Sequence, residues 1–268
     1  MRGSVLGAVV ALSSALLAGL VLGGCSGEPP DPDPGPSVSA RQADRDALAG
    51  LAAAAKDRRY VATYTLTAAK RPDRTVTVAL ASDGSWVVAV PGGALDGLAD
   101  VAVFRSRVGL FQCALGPAVG SYGERPDLSP VSPGCVRVPR LTERTDPRVH
   151  HVFTDWIDPL VDRATALSVT ATDRLSGAEG RCFSVESTSA ALAPPVDPGI
   201  YCYRLDGLLT AARMRFGTLR LTGTVGEAPS SVAMPAPRVD GDPLPIKAPP
   251  APTTVPAPAS PGLTSAAT

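Results

Sequence analysis

A period-two alternation of apolar and polar residues runs through the middle of the chain and predicts β-strands. The segments YVATYTLTA, TVTVALA and WVVAV follow one another closely, the last two across the turn signal Asp83-Gly84. Because consecutive strands with short turns pair antiparallel, these three predict a meander. The alternating apolar positions are Tyr60, Ala62, Tyr64, Leu66, Val76, Val78, Leu80, Trp86, Val88 and Val90.

The same pattern continues toward the C-terminus with short connections between most segments. Further strands are predicted at 101–106, 108–113, 135–139, 166–174, 182–187, 201–205, 209–216 and 218–225. Together they predict one antiparallel sheet of about ten or eleven strands.

Two segments break this alternation and predict helices. From residue 40 to 58, apolar residues recur at spacings of three and four, and Ser39 precedes them as a candidate N-cap. Around 147–165, Trp156 and Leu160 predict one helix or two short ones. Pro159 can occupy a first turn there or kink the element, but it cannot continue a long helix. The sequence therefore predicts an α+β fold.

The N-terminus has the form of a bacterial lipoprotein signal. An apolar stretch at 5–22 follows Arg2 and ends in Leu-Gly-Gly-Cys, with Cys25 as the cysteine. Such a stretch could also span a membrane, but no basic stop-transfer cluster follows it. The resemblance implies cleavage before Cys25 and a diacylglyceryl group on its thiol, which holds the protein on the extracytoplasmic face of the cell membrane.

Composition then divides the rest of the chain. Residues 25–39 are rich in Pro, Asp and Gly and predict a flexible tether after the signal peptide at 1–24. One domain at 40–240 follows, and the Pro/Ala/Thr-rich residues 241–268 predict a disordered tail. Residues 231–246, which overlap the start of that tail, carry enough apolar residues to add an extended edge.

Charge and cysteine content narrow the function. The 25 basic and 25 acidic residues balance, which argues against nucleic-acid binding. The preference for Arg over Lys is typical of GC-rich genomes such as those of actinobacteria. Beyond Cys25, four cysteines in an oxidising compartment predict two disulfides. Of three pairings we favour Cys113 with Cys135 and Cys182 with Cys202, because each pair flanks a turn-rich segment.

The sequence contains no strong catalytic, cofactor or metal motif. It has no Gly-x-Ser-x-Gly, no phosphate-binding loop, no His-Glu-x-x-His and no Cys-x-x-Cys. Ser121, His150 or His151, and Asp155 could in principle form a triad, but adjacent histidines before a helix are more typical of a solvated loop. Adjacent histidines also suit a single ion poorly. We therefore expect no enzyme, no cofactor and no metal.

The order of elements resembles the LolA-like group of lipid-handling proteins, and within it the mycobacterial LppX and LprG type of lipoprotein. The resemblance covers 40–240 and includes the phrases RYVATYTLTA and YCYRLDGLLTAARMRFGTLRL. It implies a strongly curved, half-barrel sheet with helices on its concave side. It also implies that a lipid or glycolipid binds in the cavity between them.

From this resemblance we expect a membrane-anchored protein that binds or transports a hydrophobic lipid. The alternative is an envelope interaction or sensor lipoprotein that docks a protein partner. A cavity above about 300 Å³ would favour the lipid, and a filled core would favour docking. The residues expected to line the cavity are Tyr64, Leu66, Val78, Leu80, Val88, Val90, Trp156 and Leu160.

Overall fold

The structure is a computed structural model that describes residues 38–118, 130–188 and 194–250. The predicted signal peptide, Cys25 and Ser121 lie outside these residues. Among the described residues, no helix has both the length and the apolar character needed to cross a membrane.

In the described part of the chain, eleven antiparallel strands form a single sheet in the order β6-β5-β4-β3-β2-β1-β11-β10-β9-β8-β7. Each predicted strand overlaps one observed strand. The strands are β1 (Tyr60–Thr67), β2 (Arg74–Leu80), β3 (Trp86–Ala94), β4 (Ala99–Ser106), β5 (Gly109–Pro117), β6 (Gly134–Val138), β7 (Leu167–Thr172), β8 (Arg181–Ser187), β9 (Gly199–Tyr203), β10 (Leu209–Met214) and β11 (Gly217–Gly226).

The pairing of β1 with β11 joins two meanders into this sheet. In the β1–β11 pair, Tyr64 of β1 lies opposite Leu221. In the β1–β2 pair, on the other edge of β1, Tyr64 lies opposite Val76. All other neighbours in the sheet are consecutive in sequence. The predicted meander of β1, β2 and β3 is therefore confirmed, and one long-range pairing sets the order of the whole sheet.

Helices occupy both predicted regions. α1 (Val38–Asp57) begins two residues before the predicted start at residue 40. The second region contains a 3-10 helix (Val149–Phe153) and the short α2 (Ile157–Val161), so it forms two short helices. Pro159 is the third residue of α2, where no intrahelical donor is lost. Another 3-10 helix (Leu95–Gly97) follows β3.

One apolar core joins the helices to the sheet. It contains side chains from α1, the Val149–Phe153 helix, α2 and strands β1 to β4 and β7 to β11. In β4, Val101 belongs to this core, whereas Ala102 and Phe104 belong to a separate cluster with Phe111 and Ala236. Because successive strand residues face opposite sides, the second cluster lies on the other face of the sheet.

A buried arginine connects the two helices. Arg45 of α1 is 5 % exposed, and its guanidinium donates to the carbonyls of Leu160 at 2.7 Å, Pro159 at 3.0 Å and Asp162. These carbonyls lie at the end of α2 and lack donors within that helix. Arg45 therefore caps α2 from a distant part of the chain.

Both predicted disulfides are present. Cys113 of β5 lies directly opposite Cys135 of β6, and Cys182 of β8 lies opposite Cys202 of β9. Each bond links neighbouring antiparallel strands, and their sequence separations are 22 and 20 residues.

The predicted start of the tail at residue 241 is wrong, because ordered contacts continue beyond it. The chain first pairs with β6, where the Cys135 amide donates to the Pro237 carbonyl at 2.8 Å. Farther on, Gln112 exchanges hydrogen bonds with the backbone of Leu244, at 2.6 and 2.9 Å. The amide of Ile246 then donates to the Arg144 carbonyl at 2.7 Å. These hydrogen bonds fix the backbone of residues that lie within the predicted tail.

Candidate functional site

The eight residues predicted to contact a ligand lie together in the main core. The most exposed of them, Leu80 and Trp156, have only 7 % of their surface accessible. The helical layer packs directly on the sheet at Tyr64, whose ring centroid is 4.9 Å from that of Phe153. The sequence therefore identified core positions, and protein side chains occupy the space beside Tyr64.

A cleft of about 320 Å³ opens at one border of this core. We call it the hairpin cleft, because the β2–β3 hairpin forms one wall and the end of α1 and the start of α2 form the others. Leu80 is the one member of the predicted set among its lining residues. Its apolar lining residues are Ala55, Leu80, Trp86, Phe153 and Ile157.

Charged side chains surround the apolar part of the hairpin cleft. Lys56 forms an ion pair with Asp158 at 2.8 Å, and both side chains are mostly exposed. The hydrogen bond that Lys56 donates to the Asp158 carboxylate raises the pKa of Lys56. Arg59 and Arg105 add two further cations, and Asp155 adds a carboxylate. The rim thus carries three cationic and two anionic groups.

A second group of polar residues, the His cluster, comprises Asp146, His150, His151 and Asp155. Asp146 Oδ2 lies 2.7 Å from His151 Nε2, and Asp155 Oδ2 lies 3.0 Å from His151 Nδ1. His150 Nδ1 lies 3.6 Å from Asp146 Oδ1 and has no hydrogen-bond partner. The Val149–Phe153 helix presents both imidazoles, and the carboxylates come from the turns before and after it.

The two imidazoles of the His cluster have opposite electrostatic environments. Burial, together with the neighbouring His151, lowers the pKa of His150 to about 4. Burial also opposes the charge on His151, but the hydrogen bonds that its ring N–H groups donate to the carboxylates of Asp146 and Asp155 raise its pKa to about 9. Burial alone would raise the pKa of Asp146, but the hydrogen bond that Asp146 accepts from His151 lowers it. In the absence of other ligands, His151 is therefore the charged imidazole and His150 the neutral one at pH 7.

Two tryptophans hold the imidazole rings in place. The ring centroids of Trp86 and His150 are 5.8 Å apart, and those of Trp156 and His151 are 5.3 Å apart, with 19° between the planes in both pairs. Trp86 also lines the hairpin cleft. The His cluster and the cleft therefore share one wall.

The expectation of a solvated histidine loop is wrong, because His150 is only 2 % exposed. The four-residue spacings from Asp146 to His150 and from His151 to Asp155 were the available sequence signal. They place each carboxylate about one helical turn from an imidazole. The main core includes Val149, Val152 and Phe153, which flank the two histidines in sequence. Because these neighbours are buried, the histidines also lie close to the core.

Other clefts carry different chemistry. A cleft of about 470 Å³ beside the β4–β5 turn has Arg105, Arg107 and Arg137 in its lining. A more apolar cleft of about 400 Å³ lies between β6 and the C-terminal segment, with Val131 and Leu244 in its walls. Neither contains any of the eight predicted ligand residues.

Comparison of the chain with protein-family models, with curated proteins and with solved structures found no match.

Proposed function

We propose that this chain is a membrane-anchored extracytoplasmic lipoprotein of the LolA-like type that binds a lipid or glycolipid non-covalently. Cys25 would carry the acyl anchor, and the domain would hold its ligand at the hairpin cleft. The two disulfides support an oxidising compartment, because such bonds are rare in the cytosol.

The proposal includes a half-barrel curvature of the sheet, with α1 and α2 on its concave side. Its support is the continuous core that both helices share with one face of nine strands. In that arrangement a ligand would enter where the helical layer and the sheet part. The hairpin cleft lies at such a border, between α1, α2 and the β2–β3 hairpin.

The hairpin cleft is the observation that carries the proposal. Its volume of about 320 Å³ is at the lower end of the range for small-molecule sites. Trp86, Phe153 and Ile157 offer apolar surface to a hydrocarbon chain, and burial of such surface contributes about 25 cal/mol per Å². The cleft has room for part of one chain, so the rest of the lipid would remain at the surface.

The charges at the rim indicate which head group would remain there. Asp158 pairs with Lys56, so these two charges balance. The remaining charged groups at the rim are the cations of Arg59 and Arg105 and the carboxylate of Asp155. This excess of positive charge favours an anionic head group, since opposite charges near the surface attract. A fatty acid or a phosphate-bearing lipid has the required combination of chain and charge.

The test is lipid binding by the Cys25→Ala chain, which lacks the attachment site. Native mass spectrometry should detect a co-purified lipid, and titration with a dansyl-labelled fatty acid should give energy transfer from tryptophan. Arg105→Glu should weaken binding of this probe by about tenfold, because one favourable charge contact of about 1.4 kcal/mol is lost. Trp86→Ala should weaken binding further by removing part of the apolar wall, and native mass spectrometry measures this variant because Trp86 is itself a donor in the energy transfer.

Arg107→Glu is the matched control, because Arg107 is exposed and close to Arg105 but does not line the hairpin cleft. It should bind the probe as the Cys25→Ala chain does. The absence of any co-purified lipid, together with no saturable binding of the probe, would refute the proposal.

A second candidate function is the docking of an envelope protein without a lipid cargo. The packing of Tyr64 on Phe153 favours it, because that part of the core has no room for a ligand. Cross-linking of the anchored chain in intact cells would then trap a specific protein, while native mass spectrometry would show the bare chain.

A further inference from the structure

We infer that Asp146, His150 and His151 bind a divalent transition-metal ion, with Asp155 orienting His151. The donor atoms of the first three residues lie within 4.8 Å of one another. Two imidazole nitrogens and one carboxylate are a ligand set typical of zinc and related ions, and three protein ligands leave one position open. This inference is independent of the lipid proposal.

His150 provides the first argument. Its side chain is 2 % exposed, and its Nδ1 atom has no hydrogen-bond partner. A buried polar atom without a partner is costly. Nδ1 points at Asp146, whose Oδ1 atom lies 3.6 Å away. That separation is long for a hydrogen bond, but two ligands of one tetrahedral ion lie about 3.4 Å apart.

His151 provides the second argument. Its Nδ1 atom lies 3.0 Å from Asp155 Oδ2, and its Nε2 atom lies on the other side, 2.7 Å from Asp146 Oδ2. A metal-binding histidine commonly donates its second ring N–H to a carboxylate, which fixes the tautomer and the ring orientation. Asp155 holds this outer position. A metal ion would take the place of the hydrogen bond between Nε2 and Asp146 Oδ2, and these two atoms would then separate from 2.7 Å to about 3.4 Å.

The surroundings suit a cation. Within the described residues, neither Asp146 nor Asp155 forms an ion pair with a lysine or arginine. The stacking of Trp86 and Trp156 on the two imidazoles restricts rotation of the rings. His151 is 19 % exposed and Asp155 is 60 % exposed, so the site is open to solvent on one side. An ion can enter there, and water can fill the open position.

The test is metal binding by the Cys25→Ala chain, purified without a histidine tag and freed of metal with a chelator. Calorimetric titration with Zn²⁺ should show one ion per chain. Co²⁺ should give visible absorption bands of a site with nitrogen ligands. Asp146→Asn and His151→Ala should abolish both signals, and Asp155→Asn should weaken binding about 10- to 100-fold.

Asp158→Asn is the matched control, because Asp158 is an exposed carboxylate three residues from Asp155 and outside the cluster. It should bind as the unchanged site does. Near-ultraviolet circular dichroism identifies any variant that has not folded. A second measurement requires no substitution in the His cluster, because Zn²⁺ should raise the melting temperature of the Cys25→Ala chain. Failure of that chain to bind Zn²⁺ or Co²⁺ above the Asp146→Asn background would overturn the inference, as would an equal loss in Asp158→Asn.

Discussion

Arg45 should stabilise the domain more than any surface charge near it, because it caps α2 from within the core. Arg45→Met keeps an apolar side chain of similar length but removes the donors to three carbonyls, those of Pro159, Leu160 and Asp162. A hydrogen bond from a charged donor contributes about 1.5–3 kcal/mol. In the variant, water can donate to the more exposed of these carbonyls in place of the guanidinium. In the unchanged chain, the cost of burying the guanidinium reduces the stability that its hydrogen bonds contribute. We therefore expect a net loss of about 3 kcal/mol.

Urea denaturation of the Cys25→Ala chain measures this loss as a change in the free energy of unfolding. In a domain of about 200 residues it corresponds to a fall in melting temperature of roughly 6–12 °C. Hydrogen exchange adds a local measurement. The amides of Leu160 and Asp162, which donate to Trp156 and Asp158, should exchange faster in Arg45→Met because α2 opens more often.

Two further variants separate this effect from a general effect of charge. Arg45→Lys keeps the charge but not the fork of donors, so it should lose part of the stability. Arg163→Ala removes an exposed ion pair with Asp46, at 3.1 Å, and should cost less than about 1 kcal/mol. If Arg45→Met destabilises the domain no more than Arg163→Ala does, the capping argument is refuted.

Three other predictions concern the fold. Gly207→Ala should destabilise the domain by several kcal/mol more than Gly84→Ala. Both glycines have a positive φ, but a Cβ at Gly207 would lie 2.2 Å from the α1 backbone, whereas no atom lies near a Cβ at Gly84. Equal melting temperatures of the two variants would contradict this. Reduction of both disulfides should cost about 3 kcal/mol for each loop in urea unfolding, and an unchanged midpoint would disprove it. Deletion of residues 241–268 should lower the melting temperature more than deletion of 251–268 does, because only the longer deletion removes Leu244 and exposes Gln112; equal effects would argue against the assigned contacts.

Local sequence patterns predicted every strand, because the alternation of apolar and polar residues arises from the geometry of each strand by itself. In β1, Tyr60, Tyr64 and Leu66 repeat at even spacing, since successive side chains of a strand face opposite sides. The favoured disulfides also followed from local features, because each cysteine pair flanks one turn-rich segment. Both features depend on residues that are close together in the sequence.

The candidate site depended on contacts between distant residues, which such patterns do not encode. Nothing local distinguishes Arg45 from the other polar residues of α1, and its burial results from carbonyls more than a hundred positions away. The sequence left the segment around Leu244 open between an extended edge and a disordered tail, and its hydrogen bonds with Gln112 hold it in place. The ligand prediction selected residues that are apolar and inward-facing, which is equally the signature of a core.

The sequence by itself determined the strands, the two helical regions, the cysteine pairs and the expectation of a lipid anchor at Cys25. Only the tertiary structure decided that Tyr64 packs on Phe153 and that a cleft opens beside Trp86. It also brought two adjacent histidines around Asp146. The physical reason is that strand and helix formation follow short-range periodicity. Cavities and converging donor atoms arise from the way separate elements fill space against one another.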